Sequence, residues 1–242
     1  MPIIDFHAHI LPGADHGSDS SKTSLAQLAL LRAAGVDAVV ATPHFYPHMH
    51  SMQSFLEHRA RCAERLARHL TPAYPTAFVG AEVLACEGLE HMEGLEHLAV
   101  KGTRTLLLEL PFSGWGHGLV ETVLQIREHG FTPVLAHVDR YPHARIEEFL
   151  HEGILAQLNA ELFAHPLRLR AYRRWIENGA VVALGSDLHK APKNGHRPFQ
   201  KMCAKLGPEA DRIFARTAEL LTGAVPLTPT EAPQKEEAVV VT

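Results

Sequence analysis

Short apolar runs alternate with longer amphipathic stretches along the whole chain. Residues 3–7 (IIDFH) predict a first strand, and residues 24–34 predict a helix that stops at Gly35. Residues 37–42 (DAVVAT) predict a second strand, followed by a long helix over 55–70. A third strand is expected at 76–81 (TAFVGA) and a fourth at 104–109 (RTLLLE), with a helix over 119–128 ending at Gly130. Residues 132–136 (TPVLA) give the fifth strand and, after a helix near 146–151, residues 154–158 (ILAQL) give the sixth. Residues 180–184 (AVVAL) give the seventh, with helical stretches to about residue 221.

Nearly continuous apolar strands separated by helices are the pattern of parallel strands covered on both faces. Seven such units in one domain predict an α/β fold, a (βα)7 barrel rather than an open sheet. That domain is expected to span residues 1–225. Residues 226–242 carry Pro226, Pro229 and Pro233 ahead of a QKEE run, the composition of a disordered tail.

Composition narrows the reading. The 242 residues are 46% hydrophobic, a length that suits one barrel domain. Formal net charge is -4 with no basic stripe, which argues against nucleic acid as a partner. Three cysteines without a CxxC pair indicate neither a disulfide framework nor a thiolate zinc site. No signal-peptide pattern and no apolar run of membrane-spanning length occur, so a soluble cytoplasmic protein, not embedded in a membrane, is expected. The unusual number is 18 histidines. His58, His69, His91, His97, His129 and His151 fall among helix-like polar positions and are expected to be surface groups.

Position separates the others. His7 and His9 end the first strand, His44 follows the second and Glu82 the third. Glu109 ends the fourth, His137 the fifth, Asn159 follows the sixth, and Asp187 and His189 follow the seventh. Each strand thus delivers a polar group at its C-terminal end, the barrel face on which active sites are built. Residues two apart in an extended chain share a side, so Asp5, His7 and His9 are expected on one face, and Asp187 with His189 on another. Nitrogen and carboxylate donors without thiolate favour manganese, iron or zinc. Clustered cations of this kind lower the pKa of a bound water from 15.7 to about 7 and neutralise phosphoryl charge, so no side-chain nucleophile is needed.

The ordered set H-x-H, T-P-H, G-A-E, L-L-E, A-H-V-D-R-Y and S-D-x-H resembles the PHP (polymerase and histidinol phosphatase) superfamily. Within it, H-I-L-P-G-x-D-x-G, G-A-E-V and H-V-D-R-Y resemble the bacterial metal-dependent protein-tyrosine phosphatases of capsular and exopolysaccharide synthesis. The resemblance, running from residue 3 to about 223, implies a distorted, TIM-like (βα)7 barrel holding three divalent metal ions, commonly Mn2+. It implies that His7, His9, Glu82 and Asp187 hold one metal. Glu82 would bridge to a second metal held by Glu109 and His137. A third would be held by His44, His189 and one member of the pair Asp15-His16. The family reads D-D-G there and this chain reads D-H-G, which puts His16 at the ligand position and makes Asp15 its neighbour. Arg140 and Arg197 match positions that bind phosphate, a role suited to a planar guanidinium, while a metal-bridging hydroxide attacks. Asp5, and with it Asn159, is expected to orient ligands from outside the metal shell. The implied activity is phosphotyrosine hydrolysis on a protein, the tyrosine-rich tail of an autophosphorylating kinase.

Other readings carry less. A histidinol-phosphate or other small phosphomonoester phosphatase would use the same metals, and its specificity would lie in loops near Phe45, Tyr46, Phe112 and Trp115. An amidohydrolase would place a lysine where Glu109 stands. A non-catalytic metal-binding module would have lost ligands that this chain keeps. Cys62 and Arg68 fit the C-x5-R spacing of cysteine phosphatases, but that stretch has no glycine and lies mid-helix, where no amide cradle can form.

Overall fold

The structure, a computed structural model, describes residues 1–112, 116–164, 166–191 and 197–228, without the side chains of residues 164, 166, 197 and 198. Its strands are β1 (Ile4–Ala8), β2 (Ala38–Ala41), β3 (His44–Phe45), β4 (Thr76–Val79), β5 (Glu82–Leu84), β6 (Thr105–Glu109), β7 (Thr132–Leu135), β8 (Leu155–Asn159) and β9 (Val181–Gly185). Its helices are α1 (Ser21–Ala33), α2 (Met52–Ala67), α3 (His117–Glu128), α4 (His143–His151), α5 (Pro166–Glu177), α6 (Arg197–Leu206) and α7 (Pro208–Leu220).

All strand pairs are parallel. One sheet runs β1-β2-β4 and the other β3-β5-β6-β7-β8-β9. The second and third strands expected from sequence are therefore each stepped in two. Pro43, which has no N–H to donate, stands at the first step, and Gly80 at the second. Across the steps the Pro43 carbonyl accepts from Glu82 N (3.1 Å) and the Ala41 carbonyl from Gly80 N (2.9 Å). At the other side the chain end of β9 returns to β1: Asp187 N donates to His7 O (2.7 Å) and His9 N to Leu188 O (3.1 Å). Buried Gln27 of α1 locks this closure by donating to the Leu188 carbonyl (3.1 Å).

The barrel is distorted on its lower half between β4 and β6. Lys101 N bonds Val79 O (2.8 Å) and Val225 N bonds Lys101 O (2.8 Å), so irregular chain fills the gap. Pro226 bridges Phe78 and Leu227 N donates to Ala77 O (2.7 Å), holding the first residues of the expected tail on the edge of β4. Residues 229–242, the rest of that tail, lie outside the described residues.

Side chains from several strands meet inside the barrel, where Phe6, Val40, Leu107, Val134 and Val182 form one cluster. A larger cluster packs the outer strand faces against the helices. The β1–β2 register shifts between Asp5 and Ala8, which breaks the strict alternation expected for Asp5, His7 and His9. Phe6 joins the interior, and Asp5 binds backbone. Helix starts follow local chemistry: Ser20 caps α1 and Ser51 caps α2 through side-chain bonds to Thr23 N and Ser54 N. Helix α5 was not read from the sequence, because its apolar positions Tyr172, Trp175 and Ile176 are interleaved with arginines.

Candidate metal centre

The strand ends bring His7, His9, His44, Glu82, Glu109, His137, Asp187 and His189 to one rim. Glu82 is their hub. Its Oε2 lies 3.2 Å from His7 Nε2, 3.3 Å from His9 Nε2 and 3.0 Å from His44 Nδ1, while its Oε1 lies 2.7 Å from His137 Nε2. Asp187 Oδ1 closes the first group at 3.6 Å from His7 Nε2 and 3.4 Å from His9 Nε2. The two imidazole Nε2 atoms are themselves 3.2 Å apart. The five separations among these two Nε2 atoms, Glu82 Oε2 and Asp187 Oδ1 lie near the edge, about 3.4 Å, of a tetrahedron with 2.0–2.1 Å bonds, and His7, His9 and Glu82 lie close enough together to hold an ion.

Two further triads of donors lie close enough to hold an ion, His44 with Glu82 and Glu109, and His9 with His44 and His189. His44 Nδ1, Glu82 Oε2, Glu109 Oε2, His137 Nδ1 and His189 Nε2 are buried and make no hydrogen bond among the described residues. Buried polar atoms normally find partners. Unpartnered buried imidazole and carboxylate atoms in residues of one rim are the donor chemistry a divalent cation satisfies, so the residues fit a divalent-metal site.

The Asp15-His16 pair divides. Asp15 turns inward, accepting from His9 Nδ1 (2.7 Å), Gly17 N (2.9 Å) and His44 N (3.1 Å). His16 is exposed, and its ring stacks on those of His189 and His44 at centroid distances of 4.6 and 4.8 Å. Gly17 permits this turn, since a Cβ there would sit 2.4 Å from His9 Cβ.

Charge follows from the packing. Burial works against the cationic form of His7 and His9, yet the carboxylates of Glu82, Asp187 and Asp15 outweigh it and hold both above the ordinary histidine value. Burial would raise the Glu82 and Asp187 carboxyls, but the histidines, and for Asp187 also Arg140, hold both well below the usual range. Burial and the neighbouring Glu82 push Glu109 up to about 7. His44 is pushed down to about 4, mainly by burial. In the metal-free protein the cluster thus favours protons on His7 and His9, with which an incoming cation competes.

Two non-glycine residues have left-handed backbone, His137 (φ 33) and Asp187 (φ 51). Such conformations cluster at functional sites because the surroundings must enforce them. Arg140 Nη2 and Asn159 Nδ2 (3.1 Å) both donate to Asp187 Oδ2, which leaves Oδ1 to face the histidines. Arg197 begins α6, and its side chain lies outside the described residues, as does Trp115.

Several expectations change. Asp5 makes no hydrogen bond to an imidazole among the described residues; its Oδ1 accepts from Ser186 N (2.8 Å) and His7 N (3.3 Å), tying β9 to β1 through backbone, and its Oδ2 is buried without a partner among them. The role of orienting an imidazole falls to Gln157, a residue the sequence reading passed over. Its Oε1 accepts the His137 backbone N–H at 2.6 Å, which fixes the amide orientation, and the same oxygen lies 3.2 Å from His7 Nδ1. Because that oxygen can only accept, His7 carries its Nδ1 proton and aims Nε2 at the centre. Gln157 Nε2 continues the chain to Asn159 Oδ1 (3.0 Å). A lone glutamine in the apolar run ILAQL was the available signal. Phe45 packs in the core against Phe55 (4.9 Å) and cannot flank a substrate, whereas Tyr46 stacks beside His44 (5.2 Å) and Phe112 is 72% exposed. Of the bland histidines, His58 is half-buried with Nε2 2.9 Å from the Gly13 carbonyl; the other five are exposed. Cys62 is buried mid-helix, and burial raises its thiol, which removes it as a nucleophile.

Fold and donor set together define a hydrolase-type barrel with a histidine and carboxylate cluster suited to divalent metal on its C-terminal rim. The family model described as capsular polysaccharide synthesis, CpsB/CapC, matches residues 3–209, and the chain belongs to that family. It is 28% identical over 208 residues to the tyrosine-protein phosphatase CpsB of Streptococcus pneumoniae, covering 77% of this chain and 83% of that protein. It is 22% identical over 233 residues to the tyrosine-protein phosphatase YwqE of Bacillus subtilis strain 168, covering 90% and 91%. A chain from the crystal structures of YwqE and S. pneumoniae CpsB, described as unique metal-dependent tyrosine phosphatases, superposes with TM-score 0.74 at 20% identity, covering 95% of this chain and all of that one. The lactonase Lmo2620 of Listeria monocytogenes shares the fold at TM-score 0.55 and 10% identity, with coverage of 89% and 91%. No helix among the described residues is long and apolar enough to cross a membrane.

Proposed function

We propose that this chain is a metal-dependent phosphomonoesterase that hydrolyses phosphotyrosine in a protein substrate, the tyrosine-rich tail of an autokinase in polysaccharide synthesis. The observation that carries the reading is the convergence of His7, His9, His44 and His137 on Glu82, with Asp187 closing on His7 and His9, in a chain of the CpsB/CapC family. His7, His9, Glu82 and Asp187 would hold one divalent ion; Glu82, Glu109 and His137 a second; His44, His189 and His16 a third, with manganese the first candidate. Bound cations would supply an activated water near neutral pH and neutralise charge on the phosphoryl oxygens.

The chain's own groups do the rest. Gln157 and Asp15 hold the Nδ1 protons of His7 and His9, so both rings present Nε2 inward. Arg140 sits on the rim against Asp187 with its side chain 41% exposed, and in this reading it would swing onto a phosphate and clamp it with Arg197. Tyr46, whose hydroxyl is pushed up to about 12 by burial and by Glu109, stays protonated and offers a ring face beside His44. Residues 1–225 form the catalytic unit in this reading.

The test is a manganese-supplemented assay on phosphotyrosine peptides with metal content measured on the same sample. His7→Ala or Asp187→Ala should abolish turnover with the circular dichroism spectrum unchanged, while Cys62→Ser should leave it intact. Faster hydrolysis of histidinol phosphate than of the peptide would overturn the assignment of substrate.

A further inference from the structure

The rim carries a second charged feature that no metal explains. Helix α5 follows β8 and places Arg168, Arg170, Arg173 and Arg174 within two turns, on a chain whose net charge is -4. Arg170 and Arg173 join Lys205 of α6 around a 390 Å³ concavity also lined by Leu169, with no acidic residue in its lining among the described residues. Neither arginine forms an ion pair among the described residues. Lys205 Nζ is held 2.5 Å from the carbonyl of Phe163, in the turn of residues 160–164 that leaves β8 just after Asn159. Arg168 Nη2 donates to the Asp139 carbonyl (3.1 Å), which ties the helix to the residue preceding Arg140. Leu167, 89% exposed, adds an apolar step in the first turn of the same helix.

Uncompensated arginines around a concavity attract carboxylates, and an exposed leucine beside them suits a polypeptide better than a free small anion. We propose that this groove docks an acidic, Asp/Glu-bearing stretch of the same phosphoprotein whose phosphotyrosine enters the metal centre. The inference rests on the phosphotyrosine reading. The groove would act on substrate capture and not on the chemical step.

The test compares phosphotyrosine peptides that carry either three glutamates or three glutamines, set at several distances on either side of the phosphotyrosine. Expected for the manganese-loaded parent is a roughly 5- to 20-fold lower KM for one glutamate series, at equal kcat, the size given by a few exposed charge pairs. High salt should erase the difference. Arg170→Glu/Arg173→Glu should abolish or reverse it while turnover of a small aryl phosphate stays within about twofold. Equal KM for glutamate and glutamine peptides in the parent would overturn the proposal, as would a preference that survives the double substitution. Binding to phosphatidylserine vesicles that the double variant loses, with peptide KM unchanged, would assign the groove to lipid and overturn it too. If no peptide is hydrolysed, the phosphotyrosine reading falls separately. Fluorescence anisotropy of the labelled glutamate and glutamine peptides then still decides the groove: tighter glutamate binding that the variant loses supports it, and equal binding overturns it.

Discussion

Single side chains decide how the donors are aimed. Gln157 has no exposed surface and serves two of the proposed ligands at once, His7 through its ring and His137 through its backbone. Removing such an outer partner typically weakens metal binding 10- to 100-fold. Gln157→Ala should therefore show a loss of that order in manganese affinity by titration calorimetry, and unchanged affinity would refute its positioning role. Asp15 does the same for His9, and its own titration gives a second handle. Its carboxyl is buried, yet the bonds from His9, Gly17 and His44 hold it down at about 2. The unfolded chain takes up that proton first as pH falls, so the carboxylate stabilises the fold fully above about 4 and loses its effect between about 4 and 2. For the metal-free protein this amounts to about 2 kcal/mol at neutral pH. Urea unfolding of Asp15→Asn should show a deficit of that size at pH 7 that shrinks toward pH 2, and a deficit independent of pH would exclude the pairing as its origin.

At the level of elements, the site depends on strands packed too closely for ordinary side chains. Gly185 ends β9 where a Cβ would lie 2.6 Å from His7 Cβ and 2.7 Å from Gln157 Nε2. Overpacking of this kind costs about 1–3 kcal/mol. Gly185→Ala should lower the thermal midpoint and also reduce bound metal, because the clash falls on His7 and on its partner. A variant that is less stable but binds manganese normally would show that the strand relaxes away from the site. The steps at Pro43 and Gly80 act on the same scale: they start β3 with His44 and β5 with Glu82, paired in register. A straight strand through either point would lengthen the ladder without guaranteeing that pairing.

Across the whole molecule, buried carboxylates and histidines that neutralise each other only through shared protons are a weakness that cations remove. Ligands that bind the folded state alone stabilise by about 2.7 kcal/mol at a hundred times their dissociation constant. Chelation followed by gel filtration should lower the melting temperature by several degrees, and manganese should restore it with release of protons into a weakly buffered solution. An unchanged melting temperature with metal analytically removed would mean that the cluster stands without cations. The sequence by itself determined the alternation of strands and helices, since each parallel strand must be apolar on both faces. It also determined the order of the polar strand ends, because H-x-H, T-P-H, G-A-E and S-D-x-H break apolar runs at the points where a barrel rim begins. Only the tertiary structure decided that Glu82 is the hub, that Asp15 turns onto His9 while the His16 ring stacks on His189 and His44, and that Gln157 rather than Asp5 aims His7. Those outcomes depend on distances between residues up to 181 positions apart, fixed by the register shifts in β1 and β8 and by the closure of β9 onto β1, none of which a local pattern of apolar and polar residues encodes.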